Sequence, residues 1–289
     1  MDQKIKVIGT GLSGLVGSRV VSLLSDEVEF EDLSLDTGVD ITNFEQVKEK
    51  ISSSDAPVLL HMAAKTDVDS CEDDKLLREE GQAWIVNVEG TANVVQAARL
   101  TGKKVIYIST GFVFNGSKDY YTEEDEPDPI NWYAQTKYEG EKKVLEGDIE
   151  YIIARIDYPY CAAPFKRKDF AHKIIERFKN KEKLSAVTDS IITPSYIDDI
   201  ARGLGFLLKH NLTGIYHLVG SQSLSPFESC EIIAHILGYD ENLITKTTRN
   251  HFFKDRAFRP FKLALKNDKI TKFGIKMRTF EDGIKEFRL

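Results

Sequence analysis

Two tyrosine–lysine pairs stand four residues apart in the stretch NWYAQTKYEGEKK: Tyr133 with Lys137, and Tyr138 with Lys142. On a helix, residues at that spacing share a face. An ammonium beside a phenol favours the phenolate, so either tyrosine could serve as a proton donor or acceptor. Spacing does not choose between the pairs, and helix-surface decoration competes with both. Upstream, VIYISTGFVFNG places Thr110 at the end of an apolar, β-branched run. A hydroxyl at the carboxyl edge of a sheet can hydrogen-bond a substrate carbonyl. A third cluster lies in VIGTGLSGLVGSRVVSLL, where Gly9, Gly11, Gly14 and Gly17 sit between a short apolar run and a helical pattern. Glycine there permits a tight turn, close approach of backbone to a pyrophosphate, and close packing of helix on sheet. The phosphates would meet free N–H groups at the helix start. Gly9, Gly11 and Gly14 fit G-x-G-x-x-G, and Gly11, Gly14 and Gly17 fit a wider spacing; both predict a bound dinucleotide.

Two acidic positions follow. Asp36, in EDLSLD after a second apolar run and close behind Asp32, can accept hydrogen bonds from ribose hydroxyls and would repel a 2′-phosphate. Either NAD or NADP is expected, with Asp36 favouring NAD. Asp40, in Asp40-Ile41-Thr42, could accept from an adenine amino group, or equally cap the helix that FEQVKEKI predicts.

The elements that must position these groups alternate. Strands are predicted at 4–9, 28–35, 57–62, 104–109 and 150–155, with helical periodicity between them. That alternation predicts an α/β fold built on a doubly wound parallel sheet. Beyond Arg155 come a basic helix over 170–180, a strand over 184–187, a helix over 197–209, a strand over 214–220 returning to the sheet, and a helix over 226–237. A tail rich in Lys, Arg and Phe completes a second lobe.

Bulk properties bound the function. With 289 residues, 42% of them hydrophobic, the chain can bury a sizeable core. Its 46 acidic and 39 basic residues give a net charge of −7, which argues against nucleic acid or an anionic membrane as partner. Apolar runs are too short to span a membrane, and MDQKIKV lacks a signal-peptide core, so a cytoplasmic protein is expected. Cys71, Cys161 and Cys230 are widely separated and read as free thiols in or near the core; no metal site is suggested. His61, His172 and His217 have no acid spaced as a relay or metal site requires and read as structural. The acidic loop TEEDEPDP reads as solvated surface.

Taken together, these motifs resemble the extended short-chain dehydrogenase/reductases, and within them the dTDP-4-dehydrorhamnose reductase branch of the NAD-dependent epimerase/dehydratase superfamily. The resemblance covers nearly the whole chain. TGLSGLVG is similar to the cofactor loop, which implies Gly11, Leu12, Ser13, Gly14, Leu15 and Val16 as cofactor contacts. HMAAKTDVDSCE implies Ala63, Ala64 and Lys65 along the pyrophosphate and ribose, with Asn87 supporting the active-site lysine. Asp36, Asp40 and Ile41 would line the adenosine side. STGFVFNG resembles Ser-Thr-Asp-Tyr-Val-Phe-Asp-Gly, and YAQTKYEGE resembles Tyr-Gly-x-x-Lys-x-x-Gly-Glu. The implied catalytic residues are Thr110, Tyr133 and Lys137, so the second pair is set aside. RIDYPYC and RAFRPFKLALKNDKI match substrate segments, implying Phe112, Val113, Tyr158, Arg256 and Arg259 around a nucleotide sugar.

The resemblance implies a Rossmann-type domain over 1–156, to which 186–220 returns, and a smaller substrate-binding lobe from 157–185 and 221–289. The implied reaction is hydride transfer to a sugar keto carbon, with Tyr133 delivering the proton and Lys137 lowering its pKa. A homodimer is the family-level expectation. Departures exist: Gly111 and Asn115 stand where the motif has Asp, Cys161 where it has Gly, and Phe258 interrupts an Arg-Arg-Pro stretch. Gly111 argues against a dehydratase, which needs an acid pair after the threonine. An epimerase and a nicotinamide-binding regulatory subunit remain as alternatives.

Overall fold

β-Branched and aliphatic runs become strands, and the amphipathic stretches between them become helices. In a computed structural model that describes residues 3–163 and 168–288, the first half carries β1 (Ile5–Thr10), α1 (Leu15–Leu24), β2 (Val28–Leu33), α2 (Phe44–Ser53), β3 (Val58–His61), α3 (Val68–Asp73), α4 (Gln82–Trp84), α5 (Gly90–Thr101), β4 (Lys104–Thr110), α6 (Trp132–Leu145) and β5 (Tyr151–Ile156). Then follow β6 (Pro159–Tyr160), α7 (Phe170–Lys179), β7 (Leu184–Val187), β8 (Ser195–Tyr196), α8 (Ile197–Lys209), β9 (Gly214–His217) and α9 (Pro226–Leu237). The last elements are β10 (Ile244–Thr247), α10 (Arg249–Phe252), α11 (Asp268–Thr271) and α12 (Phe280–Lys285). Positions 164–167 of the expected lobe segment 157–185 lie outside the described residues.

Six strands form one parallel sheet in the order β2-β1-β3-β4-β5-β9. The order reverses between β1 and β3, the switch point outside whose carboxyl ends such sheets bind ligands. The doubly wound α/β expectation holds, with strand ends displaced by one to three residues. β2 stops at Leu33 because Leu35–Thr37 winds into a 3-10 turn closed by left-handed Gly38. The returning strand stops at His217, not Gly220. β10 was not foreseen; it pairs in parallel with β7 outside the central sheet.

Helices on both faces bury all seven residues of β4. Because successive strand residues point to opposite faces, Val7 packs with Val20, Leu204 and Leu207 of α1 and α8, whereas Ile8 packs with Val47, Ile51 and Val94 of α2 and α5. A separate hydrophobic cluster joins Tyr160, Phe178, Leu184, Ile233 and Phe280. All three cysteines are buried and unpaired.

Two expectations about charge are corrected. The acidic loop is not merely solvated: Glu123 turns inward and accepts from the His217 N–H at 2.9 Å, and burial raises its pKa. His172 does have an acid partner, Asp169, which also caps α7.

A buried ion pair fastens β5 to α6. The Arg155 guanidinium donates to both Glu141 oxygens, at 2.9 and 2.7 Å, with the side chains 2% and 0% exposed. Removing one partner leaves an uncompensated buried charge, whereas replacing both with apolar groups does not. Glu141→Ala is therefore expected to lower unfolding free energy by about 3–5 kcal/mol, and Arg155→Met with Glu141→Leu by far less. Chemical denaturation of the three proteins checks this.

Candidate active site

The glycine turn is forced by close approach. Gly11 has φ +68°, and a Cβ on it would lie 2.6 Å from the Ala63 nitrogen, so the end of β1 presses on the chain leaving β3. A Cβ on Gly17 would meet the Leu12 Cα at 2.8 Å, which lets α1 sit tightly against its own entry turn. α1 begins at extended Gly14 with no side-chain cap and no acid in its first turn. Such an end offers N–H groups and a positive field to an anion, and a dinucleotide pyrophosphate fits it. Leu12 is buried beside Gly9, Ser13 is exposed, and Leu15 and Val16 pack against the second cluster.

Beneath the turn, Thr10 Oγ1 accepts from the Met62 and Ala63 amides at 3.2 Å each and bonds His61 Nδ1 at 2.7 Å. His61 Nε2 meets Thr91 Oγ1 at 3.0 Å. Burial pushes this imidazole down to about 3, so it links β1, β3 and α5 as a neutral group.

On the adenosine side, Asp36 is exposed in its 3-10 turn and Asp32 accepts from Ser34. The capping alternative for Asp40 is wrong: Asn43 caps α2, while Asp40 Oδ1 accepts from the Thr42 amide and hydroxyl. Ile41 is buried, and its carbonyl accepts from Asn93. Lys65 also departs from expectation. Its ammonium donates to Asp74 at 2.6 Å and to the Ser70 carbonyl, turned toward α3 and the chain that follows it. Only the backbone around half-buried Ala63, Ala64 and Lys65 is left to line a cofactor. Asn87, on a single π-helical turn (Ile85–Glu89), accepts from the Lys65 N–H at 2.8 Å and donates to Thr136 Oγ1 at 3.0 Å. It steadies Lys137 through the adjacent residue.

Thr110, Tyr133 and Lys137 converge. Thr110 ends β4, and its hydroxyl accepts from the Phe112 amide. Asn131 caps α6 by accepting from the Ala134 N–H at 2.8 Å, and the helix presents Tyr133 in its first turn and Lys137 one turn further on, both inward. Lys137 Nζ donates to the Ile108 carbonyl at 2.9 Å and lies 4.0 Å from the centre of the Tyr107 ring. Tyr138 and Lys142 face elsewhere, with Lys142 paired to Glu139.

The expected lowering of the phenol is reversed. Burial raises Tyr133 above its usual range, opposed by the facing Thr110 hydroxyl, and burial pulls Lys137 down to about 7. The cause is geometric: the ammonium points at a carbonyl and a ring, leaving the phenol as a buried neutral donor.

On the substrate side, Phe112 contacts Tyr133 edge-on and also Tyr158, each at 6.0 Å between ring centres. Val113 is corrected: wholly buried, with its carbonyl accepting from Asp128, it forms floor and not contact surface. Arg256 is exposed along the Phe252 ring. Arg259 is engaged by Asp69 of α3 and by the Ala257 carbonyl. Sequence reasoning missed three residues. Asn131 holds the Phe258 carbonyl as well as α6, Asp69 pins the 257–259 segment, and Asp157 is a buried carboxyl behind Thr110. Asp157 alone had a signal, an acid inside the apolar run RIDYPY.

Comparisons with known proteins place the chain and its fold among relatives. A dTDP-4-dehydrorhamnose reductase of Aggregatibacter actinomycetemcomitans is 30% identical over 85% of this chain and 82% of its own length. Methionine adenosyltransferase 2 subunit beta of Mus musculus is 28% identical over 97% of this chain and 86% of its own. The crystal structure of dTDP-4-dehydrorhamnose reductase from Bacillus anthracis in complex with NADP superposes with TM-score 0.89 at 30% identity, covering 99% of each chain. Residues 5–288 match the model of the RmlD substrate binding domain, and the chain belongs to that family.

Proposed function

We propose that this protein reduces a keto group on a nucleotide-linked sugar, using a reduced nicotinamide dinucleotide. The carrying observation is the buried set of Thr110, Tyr133 and Lys137 at the carboxyl edge of β4, beside a glycine turn shaped for pyrophosphate. When bound, the nicotinamide supplies the hydride. Thr110 orients the keto oxygen. Tyr133, kept protonated by burial, gives its proton to that oxygen, and the facing Thr110 hydroxyl, which opposes the effect of burial, eases the phenolate left behind. A ribose is held by the backbone at 63–65 and by Asp36.

Residues 157–185 and 221–289 serve in this reading as the substrate lobe. Tyr158, tilted against Phe112, flanks the sugar, and Arg259 exchanges Asp69 for the diphosphate. Arg256 is free to join it. A cytoplasmic homodimer belongs to the same reading. The relatives' names support dTDP-4-dehydrorhamnose as the first substrate to try. Because Asp36 is exposed and can swing away from a 2′-phosphate, NADPH is accepted along with NADH.

With dTDP-4-dehydrorhamnose, absorbance of the reduced nicotinamide is expected to fall. Tyr133→Phe is expected to lower kcat by about 100-fold or more while cofactor Kd stays near wild type. Cofactor binding without turnover in the wild type would instead favour the regulatory-subunit reading, to which the subunit beta relative corresponds. Asp36→Ala is expected to raise the NADPH-to-NADH ratio of kcat/KM by about tenfold, or about 1.4 kcal/mol. An unchanged ratio removes Asp36 from cofactor choice.

A further inference from the structure

Asp157 follows β5 directly, one residue after Ile156, which pairs with Thr110 across the sheet. It is 2% exposed. Its Oδ2 accepts from the Thr193 N–H at 2.8 Å, and its Oδ1 has no partner among the described residues. A buried carboxyl with one oxygen unused costs stability, so its place beside the reacting groups needs an explanation.

Gly111 supplies one. A Cβ on Gly111 would lie 2.9 Å from a Leu265 methyl and 3.6 Å from the Asp157 Cβ, so the space behind the Thr110 loop is filled from β5 and the C-terminal segment. The resembled motif carries its acid at 111; here the Asp157 side chain borders, through its Cβ, the space that acid would enter. Thr193 extends the contact, with Oγ1 donating to the Leu263 carbonyl at 2.6 Å and accepting from the Leu265 N–H at 3.0 Å. Asp157, Thr193 and Leu265 thus form one chain of contacts that ends on Gly111. Immediately after Asp157 the backbone turns left-handed at Tyr158, with φ +38°, which sets the Tyr158 ring between Phe112 and Phe170. A tyrosine holds that conformation only when its surroundings impose it.

We infer that Asp157 is a positioning residue for the proposed reduction: its side chain, bordering Gly111 and held by the Thr193 amide, keeps the Thr110 loop and the Tyr158 corner in register and modulates Tyr133 through its charge. The role rests on the reading of Tyr133 as proton donor. Burial raises Asp157 to about 8, opposed by the Thr193 amide. The ionisable groups that feel its charge are Tyr133 from α6 and the adjacent Tyr158, which Arg259 of the C-terminal segment opposes. Lys137 answers instead to burial and to Glu141. A neutral Asp157 leaves Tyr133 free to release its proton. Once ionised, it disfavours the phenolate, so reduction slows as pH rises through its titration.

Asp157→Asn keeps an oxygen for the Thr193 N–H and cannot ionise; Asp157→Ser is the second variant should it fold poorly. Steady-state reduction of dTDP-4-dehydrorhamnose by NADPH, followed from about pH 6 to about pH 10, is expected to fall as pH rises for the wild type, as Lys137 loses its charge and Asp157 gains one. In the variant only the Lys137 loss remains, so the fall is shallower. Infrared difference spectra at neutral pH are expected to show a protonated carboxylic acid band in the wild type that the Asn variant lacks. Turnover with superposed pH profiles, or no such band, overturns the role of Asp157 alone. No wild-type turnover overturns the reductase reading itself, and this role with it.

Discussion

Burying the Lys137 ammonium is the constraint to which the rest of the site conforms. Among the described residues its charge is taken out of water with no carboxylate in direct contact, held by the Ile108 carbonyl and the face of Tyr107. The fall of its pKa to about 7 expresses that cost. Such a group stays in place only if α6 cannot shift on the sheet, and α6 is fixed along its length. Asn131 caps its start, Asn87 bonds Thr136 in the middle, and Glu141 grips Arg155 near the end. Gly140 permits the contact, since a Cβ there would strike the Asn87 carbonyl at 2.8 Å. Rigid support of this kind is what a preorganised proton donor requires.

The cofactor half is tied to the same helix. Gly11 brings the β1 turn onto the chain leaving β3, Thr10 and His61 lock those two strand ends together, and Asn87 passes from Lys65 to Thr136. The glycine turn and the helix of Tyr133 are therefore linked through hydrogen bonds at Thr10, Lys65, Asn87 and Thr136. His61 serves this network as a neutral imidazole, since burial pushes its pKa down to about 3.

How far the sequence revealed this depended on the range of the interactions. The glycine turn, β4 with Thr110, and the amphipathic helices were legible because turns, alternation and helical period are local properties. Tyr133 and Tyr138 were not separable by spacing, since each has a lysine four residues on; burial separates them, and burial is a tertiary property. Lys65 read as a cofactor contact from the resemblance of HMAAKTDVDSCE alone, and its partner Asp74, nine residues on in an irregular 3-10 segment, gave no local signal that would turn it away. β10 escaped because its four residues are partly or fully exposed and carry no apolar alternation. The Arg259–Asp69 pair spans 190 residues, beyond any local signal.

That long-range pair also explains why the C-terminal segment belongs to the site at all. The backbone at 257–259 is held from two sides, by Asp69 of α3 through the Ala257 N–H and by Asn131 through the Phe258 carbonyl. Asn131 is also the cap that starts the helix of Tyr133. A ligand that draws Arg259 away from Asp69 therefore acts on a segment whose other anchor is the first turn of the catalytic helix. In this arrangement the 257–259 segment and the start of α6 share one asparagine side chain, which uses its oxygen for the helix and its nitrogen for the segment.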